Sequence, residues 1–400
     1  MDGRNYAIVT AAYWGFTLTD GALRMLVLLH FHTLGYSPVQ LAFLFLLYEF
    51  FGILTNLFGG WIGSRVGLKR TLFAGLGTQV VALVMLSFIQ PHWAIALSVA
   101  YVMAAQALSG IAKDLTKMSS KSAVKLLVSD DDGGRLFKWV AVLTGSKNAL
   151  KGAGFLIGGV LLGWLGFVHS LWAMAAGLAL VLIAGLIWLK GDIGKSKYKT
   201  KFSQLFSKSP PINALSAARF FLFASRDIWF VVALPVFLKA TLGWSFAGVG
   251  GFMAAWVIGY GIVQACAPSF VTGSARSALG WGGLLAIVMG AIAAAVQFEF
   301  HPTIAVLGGL GVFGIVFAVN SAVHSYLILA YTDEDQVALN VGFYYMANAC
   351  GRLVGTLLSG LIYVASGLTG CLWTSAGFAV AAALLTLRLT RSNTLSSKDL

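Results

Sequence analysis

Charged side chains occur inside the first apolar segment of the chain, where residues 6–34 are mostly aliphatic and aromatic. At the helical period of about 3.6 residues, Tyr13, Thr17, Asp20 and Arg24 lie on one face. Each charge placed in hydrocarbon costs roughly 2.5 kcal/mol or more, so such groups face a bundle interior or a wet cavity. Asp20 and Arg24 are therefore either a structural ion pair or part of a substrate site. The rest of the sequence favours the site, with Asp20 orienting Arg24 rather than carrying a proton.

Charged residues inside apolar segments are more often basic than acidic in this sequence. The basic ones are Arg24, Lys113, Lys147, Lys151, Arg219, Arg226 and Arg352, and the acidic ones are Asp20, Glu49, Asp114 and Asp227. Positive charge remains even if every one of these acids forms an ion pair. Because an unpaired buried charge is costly, a cavity with surplus fixed cations suits an anion. Arginine binds phosphate-like oxyanions through two parallel hydrogen bonds, whereas lysine acts as a point charge.

Helical spacing groups these cations with neutral polar residues on faces that we predict to line one substrate site. Lys147 and Lys151 lie one turn apart, with no acid within helical reach on their own segment. The predicted substrate-binding residues are Arg24, Lys147, Lys151, Arg219, Arg226, Arg352, Asn320, His324, Tyr344 and Asn348. The acids Asp20, Glu49 and Asp227 are predicted either to carry a proton or to orient cations. No metal site and no cofactor is predicted.

Several of these residues also have a structural interpretation. Lys113 lies near the end of a predicted span, where its ammonium group can reach the membrane surface. Asn320 and His324 can join neighbouring helices through hydrogen bonds. Arg226 can form an ion pair with the adjacent Asp227. These alternatives stay open at the level of the sequence.

The composition requires a membrane protein with many helices. Of the 400 residues, 58 % are hydrophobic and only 10 % are charged, and the mean hydropathy is +0.85. Soluble proteins carry about 25 % charged residues, and the short alternating segments of a β-barrel do not occur here. The net charge of +13 indicates topology rather than a nucleic-acid partner, because most basic residues fall in segments on one side of the membrane. By the positive-inside rule that side, with both termini, is the cytoplasm.

Apolar runs of about 20 residues or more predict twelve membrane spans. They cover residues 6–34, 38–63, 71–90, 93–115, 136–165, 168–189, 212–238, 245–267, 277–298, 303–330, 337–365 and 369–390. A lysine-rich segment with two prolines separates the sixth span from the seventh. We therefore predict four regions along the chain. They are a six-helix bundle at 1–189, a cytoplasmic linker at 190–211, a second six-helix bundle at 212–390 and a cytoplasmic tail at 391–400.

A short sequence echo relates the two predicted bundles. Residues 33–37, Thr-Leu-Gly-Tyr-Ser, recur at 241–245 as Thr-Leu-Gly-Trp-Ser, and an acid lies upstream of each at a similar depth. Two six-helix halves repeated in the same sense, with a cavity between them, are the arrangement of the major facilitator superfamily. We therefore predict an all-α membrane protein with this fold, in which spans one, five, seven, ten and eleven contribute to the cavity.

The loop after the second predicted span resembles the loop between spans two and three of that superfamily. The matching residues, which we assign to a gating loop, are Gly60, Arg65, Gly67, Lys69 and Arg70. Ser64 stands where the superfamily has an acid, so the charge lock usual at this gate lacks its acid here. The alternative is a generic basic loop at the anionic membrane surface.

Lysines recur at every fourth position from the end of the fourth predicted span, at Lys113, Lys117, Lys121 and Lys125. This spacing predicts a helix that leaves the membrane with one basic stripe, which suits lipid headgroups. The three cysteines lie far apart in apolar runs and predict neither a disulfide nor a metal site. No phosphate-binding loop, paired zinc ligands or nucleophile motif occurs, which disfavours an ATP-driven pump or a membrane enzyme.

Four stretches of the sequence resemble one family in particular. They are WGFTLTDGALRML at 14–26, LHFH at 29–32, GIAKDLTK at 110–117 and GSKNALKG at 145–152. These are similar to bacterial organoarsenical efflux transporters of the ArsJ type, within the major facilitator superfamily. The resemblance implies export of 1-arseno-3-phosphoglycerate across the bacterial inner membrane and hence arsenate resistance. It also implies glyceraldehyde-3-phosphate dehydrogenase as a functional partner, since that enzyme makes the ester when arsenate replaces phosphate.

The leading hypothesis is a secondary transporter that exports this organic arsenate–phosphate ester by alternating access around a cationic cavity. The main alternative is a proton-coupled antiporter for another small organic anion, a sugar phosphate or a drug. A transporter-like enzyme or a receptor is the alternative from another class. We expect a monomer with no enzymatic activity, whose partners are a small polyanion and membrane lipids. The driving force stays open between a proton gradient and the substrate's own gradient with the membrane potential.

Overall fold

The computed structural model describes residues 3–66, 68–90, 92–125, 133–189, 209–332 and 337–396, and in these ranges the chain is helical without β-strands. The first half contains α1 (Gly3–Thr33), α2 (Pro38–Leu44), α3 (Leu46–Val66), α4 (Leu68–Ser87), α5 (Ile95–Lys125) and α6 (Gly133–Trp188). The second half contains α7 (Pro210–Phe230), α8 (Ala233–Val236), a π-helical turn (Phe237–Thr241), α9 (Phe246–Cys266), a short 3₁₀ turn (Ala267–Ser269), α10 (Ala275–Gln297), α11 (Pro302–Ala330) and α12 (Val337–Ser396).

The two longest helices, α6 and α12, each contain a chain reversal at a glycine with positive φ. Gly166 has φ +70° and Gly367 has φ +62°. Residues 154 and 181 of α6 both pack against α1, near Leu18 and Gly15, although a straight helix would separate them by about 40 Å. The chain must therefore turn back at Gly166. In α12, residues on both sides of Gly367 contact α7 in the same way.

These reversals reconcile the helix count with the predicted spans. Nine helical segments in the described residues are long and apolar enough to cross a membrane, and two of them contain the reversals in α6 and α12. The 31-residue α1 is long enough as well, but its charged and histidine residues lower its hydropathy. Dividing those two at their reversals gives eleven segments, and α1 would be the twelfth of the predicted spans. The predicted all-α membrane fold is confirmed.

The sequence echo between residues 33–37 and 241–245 corresponds to a repeated turn. Gly35 has φ +85° and Gly243 has φ +70°, a region of backbone conformation that favours glycine. In each turn the serine two residues later caps the next helix, with Ser37 accepting from the Gln40 amide and Ser245 from the Gly248 amide. The repeat predicted from a five-residue sequence match is therefore also present in the backbone geometry.

A second repeated feature is a close helix crossing in each half. On α6, a Cβ added at Gly154 would lie 2.5 Å from the carbonyl oxygen of Leu18 on α1. On α12, a Cβ added at Gly351 would collide with the carbonyl oxygen of Phe220 on α7. Glycines four residues further on, Gly158 and Gly355, continue each crossing. Small residues at this spacing let helix backbones touch inside a membrane.

We expect Gly154→Leu to prevent this crossing, because the added side chain has no space beside the Leu18 carbonyl. Overpacking of this kind costs about 1–3 kcal/mol, so the melting temperature and the yield of folded protein should both fall. Gly163→Leu is the matched control, since a Cβ there meets nothing within 4 Å. Equal melting temperatures for the two variants would contradict the close approach of α6 to α1 at Gly154.

A row of glycines also runs along the contact between α6 and α9. Gly145, Gly152 and Gly159 recur every seventh residue, and each lies against the backbone of α9, with the Ile258 side chain also beside Gly152. Added Cβ atoms would lie 3.1 Å from the Gly261 carbonyl oxygen, 2.8 Å from that of Ala254 and 2.5 Å from that of Phe246, respectively. Along this contact the two helices meet through their backbones.

The side of the second half that faces α7 is packed by aromatic rings. Trp229 is fully buried and makes edge contacts with Trp256 and Phe313 at centroid distances of 5.5 and 5.4 Å. The Trp256 indole N–H donates to the Leu310 carbonyl at 2.7 Å, which fixes α9 against α11. This packing holds α7, the helix that carries Arg219, Arg226 and Asp227, between α9 and α11.

Some sequence predictions fall on residues outside the described ranges. These include Gly67, most of the predicted linker and the last four residues of the predicted tail, and the side chains of residues 59–68, 118–144 and 391–396 are likewise not described. The division into regions at 189 and 212 stays a prediction.

Candidate substrate site between the helices

Asp20 on α1 is the acid of the first ion pair. Its Oδ2 lies 3.1 Å from Nζ of Lys151 on α6, and its Oδ1 accepts a 2.6 Å hydrogen bond from the Tyr48 hydroxyl on α3. The crossing of α1 and α6 explains the pair, because Gly21 packs against the backbone of Lys151 itself. The helix backbones thus bring the carboxylate and the ammonium group together.

Glu49 on α3 connects the two halves of the chain. Its Oε1 accepts from Nη2 of Arg24 at 2.7 Å and from Nη2 of Arg352 on α12 at 2.6 Å. The side chain is fully buried, and its Oε2 has no hydrogen-bond partner in the described structure. Charge-assisted hydrogen bonds are strongest where water is excluded. Glu49 is therefore an ionic link between α1 and α12.

Asp227 on α7 completes the connection. Its Oδ1 accepts from Nη2 and Nε of the adjacent Arg226 at 2.5 and 2.6 Å, and its Oδ2 accepts from Nε of Arg352 at 3.3 Å. Arg352 therefore bridges Glu49 and Asp227. We call Asp20, Arg24, Glu49, Lys151, Arg226, Asp227 and Arg352 the central charge network.

The central charge network has more cations than acids. Lys151, Arg24, Arg226 and Arg352 are paired with only three carboxylates, those of Asp20, Glu49 and Asp227. A further cation, Lys113 on α5, lies over the Tyr48 ring with Nζ 3.9 Å from the centroid. The surplus of positive charge predicted from the sequence thus persists after the acids are paired, and it suits an anionic ligand.

Aromatic rings support the cations of the network. The Arg24 guanidinium lies over the rings of Phe45 and Tyr48, at 5.1 and 5.3 Å from the centroids. The Arg226 guanidinium lies over Phe223 at 4.7 Å. Such contacts are worth about 0.5–2 kcal/mol and fix the orientation of the guanidinium plane.

The ion pairing differs from the one expected for Asp20. Asp20 was expected to orient Arg24 one turn away, but Asp20 pairs with Lys151 and Arg24 pairs with Glu49. Lys151 has no acid within helical reach on its own segment, and its partner comes from α1. The physical reason is that residues four apart on a helix compete with residues from neighbouring helices that lie at the same depth. Whether Asp20, Glu49 or Asp227 carries a proton stays a prediction.

A second polar group lies along α7, about two and three turns before the network. Arg219 is buried, and its Nη1 donates to the carbonyl oxygen and the hydroxyl of Ser321 on α11 at 3.2 and 3.0 Å. His324 and Ser216 are buried nearby, on α11 and α7. We call Ser216, Arg219, Ser321 and His324 the Arg219 cluster. Tyr344 on α12 borders it, with its ring centroid 5.0 Å from the Arg219 guanidinium carbon.

The other predicted substrate-binding residues lie outside both groups. Lys147 is partly buried one turn before Lys151 on α6. Asn320 is buried with its amide nitrogen close to Gly282 on α10, so it faces away from Arg219. Asn348 is partly buried, and its Oδ1 has no partner in the described structure. Their assignment to the site stays a prediction.

Several residues of the site were not predicted from the sequence. Tyr48 contacts Asp20, and Ser321 contacts Arg219. Near them, the Thr55 hydroxyl donates to Asp114 at 2.5 Å, and the Lys117 ammonium donates to Asn56 at 2.7 Å. The sequence does contain a signal that could have identified these residues. Each has a hydroxyl or amide side chain inside an apolar run, one or two turns from a charged residue.

The predicted gating loop is described only in part. Lys69 donates to the carbonyl oxygen of Leu189 at 2.7 Å, which connects α4 to the end of α6, and Arg70 is exposed. Gly60 and Arg65 lie in the stretch whose side chains are outside the described part, and Gly67 is outside it as well. The gating role of the five residues stays a prediction.

The fold and the charged interior together define a polytopic membrane transporter of two related halves. The chain belongs to the Major Facilitator Superfamily, whose sequence model matches residues 7–225 and again residues 215–399. Membership of this superfamily makes it a membrane transporter and not an enzyme.

Solved structures support the same fold. Crystal structures of a bacterial homologue of the iron transporter ferroportin are similar to this chain in both the outward-facing and the inward-facing state. The outward-facing structure has a TM-score of 0.68 at 14 % identity, covering 96 % of this chain and 99 % of that chain. The inward-facing structure has a TM-score of 0.70 at 15 % identity, covering 96 % and 98 %. No curated protein matches the sequence.

Proposed function

We propose that this chain exports a small organic polyanion, of the organic arsenate–phosphate ester class, across the bacterial inner membrane. The observation that carries the proposal is the central charge network, in which the buried Arg24 and the partly buried Lys151, Arg226 and Arg352 share three carboxylates where the halves meet. An anion that enters this region gains contacts with guanidinium groups that are only partly neutralised. The resemblance of residues 14–26, 110–117 and 145–152 to organoarsenical efflux transporters favours 1-arseno-3-phosphoglycerate as the anion.

The direction of transport follows from the same resemblance, and the topology follows from the charge distribution. Most Lys and Arg residues fall in segments on one side of the membrane, and both termini lie on that side. We therefore propose that both termini are cytoplasmic. Export of an unstable ester before it hydrolyses removes arsenate from the cell. Resistance to arsenate is therefore the expected phenotype.

Iron transport is stated of ferroportin, of which the similar structures are a bacterial homologue, and at 14–15 % identity the likeness extends to the fold alone. In the described part of this chain, no three His, Cys, Asp or Glu side chains are grouped so that they could hold a metal ion. A metal substrate is therefore not proposed.

The proposal is tested in an arsenate-sensitive bacterial host. We expect expression of this chain together with glyceraldehyde-3-phosphate dehydrogenase to raise arsenate tolerance several-fold, and expression of either alone to have little effect. Everted membrane vesicles should accumulate the ester formed in situ by that enzyme from arsenate and glyceraldehyde 3-phosphate, with NAD⁺ as the oxidant. Competition distinguishes an exporter of organic anions from a drug antiporter. For the organic-anion exporter, 3-phosphoglycerate should inhibit uptake and a hydrophobic cation should not.

A well-expressed protein that neither raises tolerance nor accumulates the ester would contradict the proposed function. Inhibition by a hydrophobic cation alone would favour a drug antiporter. Repeating the vesicle assay with the pH gradient collapsed determines the driving force, because a proton-coupled mechanism loses accumulation and a potential-driven one retains it.

A further inference from the structure

We propose that the Arg219 cluster is a second anion subsite, which holds one end of a ligand with two anionic ends while the other end contacts Arg226. The inference rests on the proposed function and deepens it, since it defines the substrate class as two-ended. It concerns residues outside the central charge network, on α7 and α11.

The first argument is the uncompensated charge of Arg219. Its side chain is 3 % exposed, and no acid in the described structure lies within 4 Å of it. Nη1 donates to Ser321, but Nε is buried and has no hydrogen-bond partner in the part of the chain that the structure describes. A guanidinium group stays protonated even when buried, so the positive charge persists. The neighbouring rings of Phe223 and Tyr344 offset only part of its desolvation.

The second argument is the polar side chains beside it that lack partners. Ser216 precedes Arg219 by one turn of α7, and His324 follows Ser321, which contacts Arg219, by one turn of α11. Both residues are at most 2 % exposed, and among the described residues the Ser216 hydroxyl and both ring nitrogens of His324 have no hydrogen-bond partner. Buried polar groups are normally paired, so unpaired ones beside a cation indicate an absent ligand that accepts hydrogen bonds. An oxyanion satisfies the serine, the imidazole and the guanidinium together.

The third argument is the separation of Arg219 from Arg226. Both guanidinium groups lie over the ring of Phe223, at 4.2 and 4.7 Å from its centroid. These two distances limit the separation of the guanidinium carbons to about 9 Å. A three-carbon chain with an oxyanion at each end spans a distance of this order. Arg226 shares its carboxylate, that of Asp227, with Arg352, so it retains positive charge for the second end.

The test compares a two-ended probe with a one-ended probe on the purified full-length protein. 3-Phosphoglycerate carries a phosphate and a carboxylate, whereas glycerol 3-phosphate carries the phosphate alone. We expect the wild type to bind 3-phosphoglycerate at least tenfold more tightly. Arg219→Gln should lose this preference while its affinity for glycerol 3-phosphate changes less than threefold. Arg276→Gln, which removes an exposed arginine at the start of α10, is the matched control and should keep the preference.

Arg219→Lys keeps a charge but loses the paired N–H donors, so it should retain part of the preference and provides a second variant if the glutamine protein folds poorly. Wild-type preference that survives in Arg219→Gln would overturn the subsite and leave the proposed function standing. Equal binding of the two probes by the wild type would also overturn it. Failure of the wild type to bind either probe would contradict the proposed function itself.

Discussion

Replacing Arg352 with glutamine should abolish transport while the protein stays folded. The variant removes the surplus cation of the central charge network, but Glu49 keeps Arg24 as its partner and Asp227 keeps Arg226. Losing one buried charged contact to the ligand costs about 3 kcal/mol, so transport should fall about 100-fold. The measurements are ester uptake by vesicles and the melting temperature of the purified protein.

Glu49→Gln is the matched comparison, and we expect it to lower the stability of the protein more than Arg352→Gln does. It leaves Arg24 without an acid partner in the described structure, and breaking a buried pair in this way costs about 3–5 kcal/mol. We therefore expect a lower melting temperature for Glu49→Gln than for Arg352→Gln. If Arg352→Gln transports like the wild type, Arg352 does not contact the substrate. If it is the less stable of the two, its role is structural.

Replacing Lys151 with glutamine should destabilise the protein strongly, because Asp20 then keeps only the Tyr48 hydroxyl as a partner. A buried carboxylate without a cation costs about 3–5 kcal/mol. The double variant Asp20→Asn with Lys151→Gln replaces the pair by two neutral amides and should recover most of the melting temperature. Transport should stay low in both proteins if Lys151 binds the anion.

The same variants separate the two roles that the sequence leaves open for Asp20. If Asp20 orients Lys151, Asp20→Asn should weaken substrate binding and leave the pH dependence of the residual transport unchanged. Loss of the pH-gradient dependence with binding intact would instead identify Asp20 as a proton carrier. Full transport by the double variant would show that neither Asp20 nor Lys151 is needed to bind the substrate.

Much of the fold and the membership of the charge network could be predicted from the sequence. Apolar runs of spanning length define the helices, and a charge inside such a run must face the protein interior. This reasoning is enough to bring Arg24, Arg226 and Arg352 to the site. The surplus of basic residues is also a property of composition and needs no coordinates.

The pairing within the network could not be predicted in the same way. Helical spacing relates Asp20 to Arg24, but it gives neither the depth nor the rotation of neighbouring helices. Those are set by backbone contacts such as Gly21 against Lys151, which depend on how α1 and α6 cross. For the same reason spacing placed Arg219 and Arg226 on one face of α7 but did not show that Phe223 lies between them.

The row of glycines where α6 meets α9 has a consequence for how the halves move. Interlocked side chains resist sliding, because each side chain of one helix must leave the space between side chains of the other before the helices can shift. Gly145, Gly152 and Gly159 have no side chains to interlock, so this contact resists sliding mainly through Ile258 beside Gly152 and the Asn148–Gln264 hydrogen bond. Ionic links such as Glu49 to Arg352 add to the resistance against movement of the halves. A bound anion competes for those links, and its charge can therefore set the rate at which the transporter changes state.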